Sequence, residues 1–197
     1  MNIFLEFNQK GLDFLNSFLA YPILYTIAPI FSDLPIFFLP IFLSITWIIY
    51  WLKKDRTKQE SLLYIFYSCI LWLSITLLIQ QFFYFDRPSE HVQNVANLIL
   101  KKIPEASFPS DHASVSMAFM TSLFLWNYKR TFWYTIFFIV TMNVCRIIVW
   151  VHWPLDIIVG SLVWISAWCI TIKYVTKIKF VKKLNSFIIQ ISNLIGL

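Results

Sequence analysis

Long apolar runs alternate along the chain with short polar stretches. The runs extend from about Leu34 to Leu52, Leu62 to Phe83, Ala113 to Trp126, Phe132 to Val149 and Leu155 to Tyr174. A helix needs roughly 20 apolar residues to cross the hydrocarbon layer, so each run is long enough, or nearly so, to span a bilayer. A sixth candidate, Phe14 to Phe31, is interrupted by Pro22 and Pro29. Such a segment crosses or lies in the interface as a broken amphipathic helix, and we read it as a crossing. The tail from Lys182 to Leu197 reads as a short interfacial helix with Phe187, Ile188 and Ile191 on one face. The expected fold is an all-α integral membrane bundle of five or six transmembrane helices. It forms a single domain over residues 1–197, without internal repeats.

Composition agrees: 59% of residues are hydrophobic and only 13% charged, which excludes an ordinary soluble domain. Glu6, Lys10 and Asp13 open the chain where a basic region and an apolar run with a cleavage site would mark a signal peptide, so no removable leader is expected. In a soluble protein the net charge of +6 would suggest nucleic acid. Here the basic residues sit at the ends of apolar runs, so topology accounts for them and no nucleic-acid partner is expected. Lys53, Lys54, Arg56, Lys58, Lys129, Arg130, Lys173, Lys177, Lys179, Lys182 and Lys183 make up eleven of the sixteen basic residues, and they belong on the cytoplasmic side. By alternation, the loop from Tyr84 to His112 and the turn from Val149 to Pro154 face outward together. That places the protein in the plasma (inner) membrane, multi-pass, with these loops toward the periplasm or exterior. Cys69, Cys145 and Cys169 are odd in number and lie in apolar stretches, so they define no disulfide framework.

Three polar clusters share the outward side. Asp86-Arg87-Pro88 ends one span, Phe108-Pro109-Ser110-Asp111-His112 opens the next, and Arg146, His152 and Asp156 surround the last turn. Ionisable groups near the membrane are costly, so their convergence marks a functional site. Two arginines present planar forks suited to phosphate oxygens. Pro154 suits the first turn of a helix and brings Asp156 within reach of His152, where a carboxylate can orient the imidazole for nucleophilic attack on phosphorus. His112 stands at a helix start, where free N–H groups and the helix dipole favour an anion, and it can serve as general acid and then general base. Asp111 is open between a helix N-cap, an arginine partner and no particular contact. Glu90, His91 and Glu105 read as solvated loop residues, and Trp150 and Trp153 as an aromatic belt outside the site.

The order Arg-Pro, Pro-Ser-x-His, Arg-x5-His-x3-Asp, spanning Arg87 to Asp156, resembles the membrane-bound branch of the type 2 phosphatidic acid phosphatase superfamily. The resemblance implies an all-helical fold that uses no metal or cofactor and acts on a lipid phosphate drawn from the bilayer. It implies His152 as nucleophile, His112 as acid and Asp156 as orienter. Arg87, Arg146 and Ser110, with Asp111 beside them, would form the phosphate-binding set. Gln80 stands where the family often has Lys, Asp111 where it has Gly, and Cys145 where it has Ser; Lys101 or Lys102 is a substitute for the missing cation. The stretch Ala106 to His112, the preceding Tyr84-Phe85-x-Arg87-Pro88, the missing Lys and the small size together look like the bacterial undecaprenyl-diphosphate phosphatases.

Overall fold

The computed structural model describes residues 3–91 and 106–194, so Lys101, Lys102 and Glu105 lie outside the described residues. Among the described residues all regular structure is helical: α1 Ile3–Asn16, α2 Pro22–Leu52, α3 Arg56–Phe82, α4 Asp111–Leu125, α5 Lys129–Ile148, α6 Pro154–Lys173 and α7 Lys179–Leu194. Local chemistry sets many of the boundaries. Pro22 and Pro154 begin α2 and α6, where a missing N–H costs nothing. Asp55 caps α3 by accepting from the Lys58 N–H at 3.0 Å. Lys54, Asn127 and Trp150, with φ of 54°, 62° and 65°, take the left-handed conformation that turns the chain after α2, α4 and α5.

Residues 14–31 do not form a helix of their own. They hold the end of α1, a single 3-10 turn at Ser17–Ala20 and the start of α2. Pro22 restarts the helix, and the two parts of α2, Pro22–Leu34 and Phe37–Leu52, meet at 50°. Prolines inside a helix remove hydrogen bonds and favour such a bend. By length and apolarity, α3 and α5 can each cross a membrane, and the bent α2 makes a third candidate if it is one span.

Helix α4 occupies the centre, packed on α3, α5 and α6. Small residues let it approach α6. A Cβ added to Gly160 would lie 2.7 Å from the Ser110 carbonyl oxygen and 3.2 Å from the Ala113 Cβ. The Ser114 hydroxyl donates to the Gly160 carbonyl at 3.1 Å. Close backbone approach through small side chains is how helices associate when lipid removes the hydrophobic drive. On the opposite side, Phe38 and Phe42 of α2 set their rings edge-on to Phe119 of α4, with centroids 6.4 and 5.3 Å away. Trp133, Phe137 and Val140 form an exposed apolar stripe on α5, the face a bilayer would cover. Helix α7 rests on α3 through Tyr67 to Asn185 at 2.8 Å and Arg56 to Ser186 at 2.9 Å. The face it buries carries Asn185, Ile189 and Ser192, while Phe187 and Ile191 point outward.

Candidate active site

The start of α6 and the turn before it set the position of His152. After α5 the left-handed Trp150 folds the chain back, and the Arg146 carbonyl accepts from the N–H groups of Val151 and His152 at 3.1 and 3.2 Å. The His152 side chain is thereby fully buried. Its Nδ1 lies 3.0 Å from the Ser107 carbonyl oxygen, which can only accept, so Nδ1 carries the proton and Nε2 keeps its lone pair. Asp156 Oδ2 is 3.5 Å from the same Nδ1, beyond the closer carbonyl. The carboxylate itself accepts from the Trp153 N–H at 2.9 Å and from the Ser107 hydroxyl. Thus Asp156 holds the helix start and the Ser107 segment, and Ser107 in turn holds the ring. Burial, assisted by the two guanidinium charges and opposed by Asp156, lowers the His152 pKa to about 4, so the ring is neutral at neutral pH.

Both arginines face the free nitrogen. Arg87 Nη1 and Arg146 Nη2 each lie 3.4 Å from His152 Nε2. Arg87 is braced by the carbonyls of Val151 at 2.9 Å and Ala106 at 3.0 Å, and its segment is pinned by the Trp153 indole donating to the Asp86 carbonyl at 2.9 Å. Trp153, expected only as part of an aromatic belt, therefore positions an arginine. Arg146 donates through Nη1 to the Ser32 carbonyl at 3.0 Å and to Asp33 Oδ1 at 3.3 Å. The Arg146 and Asp33 side chains are 4% and 5% exposed, and removing one partner of such a buried pair costs roughly 3–5 kcal/mol. Sequence reasoning missed Asp33. Its signal was available, since it is the lone acidic residue in the apolar run of α2.

On α4, Ser110 is the N-cap, accepting from the Ala113 N–H, while Asp111 takes the first helical position. Asp111 Oδ1 instead accepts from the His112 N–H at 2.8 Å and meets the His112 Nδ1 at 2.9 Å. His112 Nε2 is buried without a hydrogen-bond partner. Asp111 is within electrostatic reach of Arg146 and His152, which brings the start of α4 to the same cluster. The Ser110 N–H is engaged by the Asp156 carbonyl at 3.2 Å, tying α4 to α6. Gln80 donates to the Pro109 carbonyl at 2.9 Å, so at the position where a family lysine would stand it anchors the loop before α4. A cavity of about 270 Å³ adjoins this edge, lined by Asp111 and His112 and otherwise almost entirely apolar, including Phe38, Leu73, Phe119 and Phe138.

A buried neutral imidazole facing two guanidiniums, with a second histidine at the start of a neighbouring helix, is an arrangement for phosphoryl chemistry. The sequence pattern of the PAP2 superfamily matches residues 61–180, and the chain belongs to that superfamily of phosphatases. Among curated proteins it is similar to the bacitracin transport permease protein BcrC of Bacillus licheniformis, with 24% identity over 190 residues, 93% of this chain and 88% of the relative. It is also similar to the undecaprenyl-diphosphatase BcrC of Bacillus subtilis strain 168, with 29% identity over 113 residues, 57% of this chain and 56% of the relative. No solved structure matches the chain.

Proposed function

We propose that the protein hydrolyses undecaprenyl diphosphate to undecaprenyl phosphate at the outer face of the plasma membrane, through a phosphohistidine on His152. The observation that carries this reading is His152 itself, with Nδ1 held by the Ser107 carbonyl and Nε2 between two guanidiniums at 3.4 Å. In the first step Nε2 bonds to the terminal phosphorus and the bridging P–O bond breaks. His112 supplies the proton to the departing lipid phosphate. Arg87 and Arg146 neutralise the charge on the transferred group, and Asp156 near Nδ1 favours the cationic phosphoimidazole. In the second step water attacks phosphorus while His112 takes its proton, the N–P bond breaks, and inorganic phosphate leaves.

The apolar cavity beside His112 supports a lipid substrate, because it offers the chain nearest the head group a dry path from the bilayer. The name of the Bacillus subtilis relative supports the choice of lipid. A transport role, as the Bacillus licheniformis name has it, is less supported, since transporters gather their polar groups near the membrane midplane and here they gather at one end. Five crossings fit this site: the second part of α2, then α3, α4, α5 and α6 in alternation, with the basic loops inside and the histidines outside. The test is phosphate release from undecaprenyl diphosphate, phosphatidylglycerophosphate, phosphatidic acid and a lipid A phosphate by protein purified in detergent with EDTA. Undecaprenyl diphosphate should be the preferred substrate and the chelator harmless. Preference for another lipid would overturn the substrate, and absence of hydrolysis from all four would overturn the phosphatase reading.

A further inference from the structure

We propose that Asp33, in α2 and outside the stretch matched by the superfamily, is a positioning residue that aims one edge of Arg146 at the phosphate; this rests on the reading of the site given above. The guanidinium of Arg146 has three nitrogens, and two of its corners are committed differently. Nη1 is held by Asp33 Oδ1 at 3.3 Å and by the Ser32 carbonyl at 3.0 Å. Nη2 faces the attacking nitrogen of His152 at 3.4 Å, and Nε is buried with no hydrogen-bond partner. A buried N–H without an acceptor is rare and calls for one. Nε and Nη2 share the side edge of the fork, whose two parallel N–H bonds match two oxygens of a phosphate. With Nη1 fixed from behind, that edge has one orientation, beside the nucleophile. Without Asp33 the guanidinium can rotate toward the end-on pair Nη1 and Nη2, and Nε loses its place against the phosphoryl oxygen.

The second observation is the shape of α2. The 50° meeting of Pro22–Leu34 and Phe37–Leu52 follows directly after Asp33. The first part of α2 lies against Cys145, Ile148, Val149 and Val151, which brackets the turn carrying His152. Asp33 and Ser32 therefore reach Arg146 from an element that the catalytic motifs do not include. They are buried, at 4% and 0% exposure, so their contact is not a solvated surface pair.

The test is a double-mutant cycle with two readouts. Asp33→Asn should lower kcat by roughly 10–100-fold, the loss typical of a reacting group misplaced by a fraction of an ångström to one ångström, with a smaller change in KM. In an Arg146→Gln background, Asp33→Asn should change turnover by less than about twofold, because it acts only through that arginine. Each single neutral variant leaves one unpaired buried charge, so thermal melts accompany every turnover measurement, and Asp33→Glu, which keeps the charge but displaces it, should lower kcat while remaining folded. Orthovanadate-dependent thermal stabilisation reads the anion site without lipid, and Asp33→Asn should weaken it about as Arg146→Gln does. A further loss of turnover on adding Asp33→Asn to Arg146→Gln would overturn the proposal. So would a folded Asp33→Asn with wild-type kcat and vanadate binding. Wild-type protein that neither hydrolyses lipid phosphates nor binds vanadate would instead fault the reading of the site itself.

Discussion

Gly160→Ala probes the seam between α4, which carries His112 in its first turn, and α6, which follows His152. The added Cβ would stand 2.7 Å from the Ser110 carbonyl oxygen, and ordinary contact begins near 3.4 Å, so the start of α4 must retreat from α6 by about 0.7 Å. The neighbour is backbone and cannot rotate away. Ser110 caps α4, His112 follows two residues later, and the Ser110 N–H is bonded to the Asp156 carbonyl at 3.2 Å. The retreat therefore stretches that bond and moves His112 relative to His152. Overpacking of this kind costs roughly 1–3 kcal/mol, and a displacement approaching 1 Å between reacting groups costs on the order of 100-fold in rate. Gly160→Ala should thus lower kcat by roughly 10–100-fold with only a moderate fall in melting temperature. Gly11→Ala is the matched control. Its Cβ would meet the edge of the Pro154 ring at 3.0 Å, a contact that a small ring shift relieves, so its effect on turnover should be much smaller. Phosphate release and thermal unfolding, measured on both variants in the same detergent, decide the matter. Wild-type turnover in Gly160→Ala, or equal losses in the two variants, would refute the close α4–α6 seam as the device that sets histidine spacing.

Quenching variants with radiolabelled substrate should reveal base-stable, acid-labile protein phosphate that is absent from His152→Ala and accumulates in His112→Ala when the leaving group needs little protonation; label in His152→Ala would refute the nucleophile. Nitrogen NMR of labelled histidine should find His152 neutral down to about pH 4, and inorganic phosphate should raise that value by pairing with the cation; protonation near pH 6.5 without phosphate would refute its burial. Because the unfolded ring binds its proton near pH 6.5 and the folded ring only near 4, this group should remove stability as pH falls through that window, a trend that His152→Gln should reduce in thermal melts. A cysteine at Glu90 should react with an impermeant thiol reagent on intact cells and one at Lys54 should not, and the reverse pattern would invert the topology.

By itself the sequence determined whatever depends on neighbours along the chain. Apolar runs of spanning length predict helices whatever they pack against, and the bundle is all helical over the described residues. Pro154 at the head of α6 puts Asp156 in the first turn, four residues beyond His152, and this proximity needs no tertiary information. The gathering of Arg87, Arg146 and His152 was legible because charge near a membrane is too costly to be scattered. Tertiary packing decided what holds each group in place. The ring of His152 turns its N–H to the carbonyl of Ser107, 45 residues away, a backbone atom that no side-chain motif advertises. Arg146 is held by Asp33, 113 residues away, and the loop before His112 by Gln80, 29 residues away. Whether residues 14–31 formed a helix of their own was also settled in three dimensions, because the first part of α2 continues into the second across its bend and packs against the turn that carries His152. Local pattern identifies which residues a buried polar site must contain. The hydrogen-bond partners that satisfy those residues come from whichever backbone and side chains the packed helices bring within about 3 Å, and that is a property of the fold.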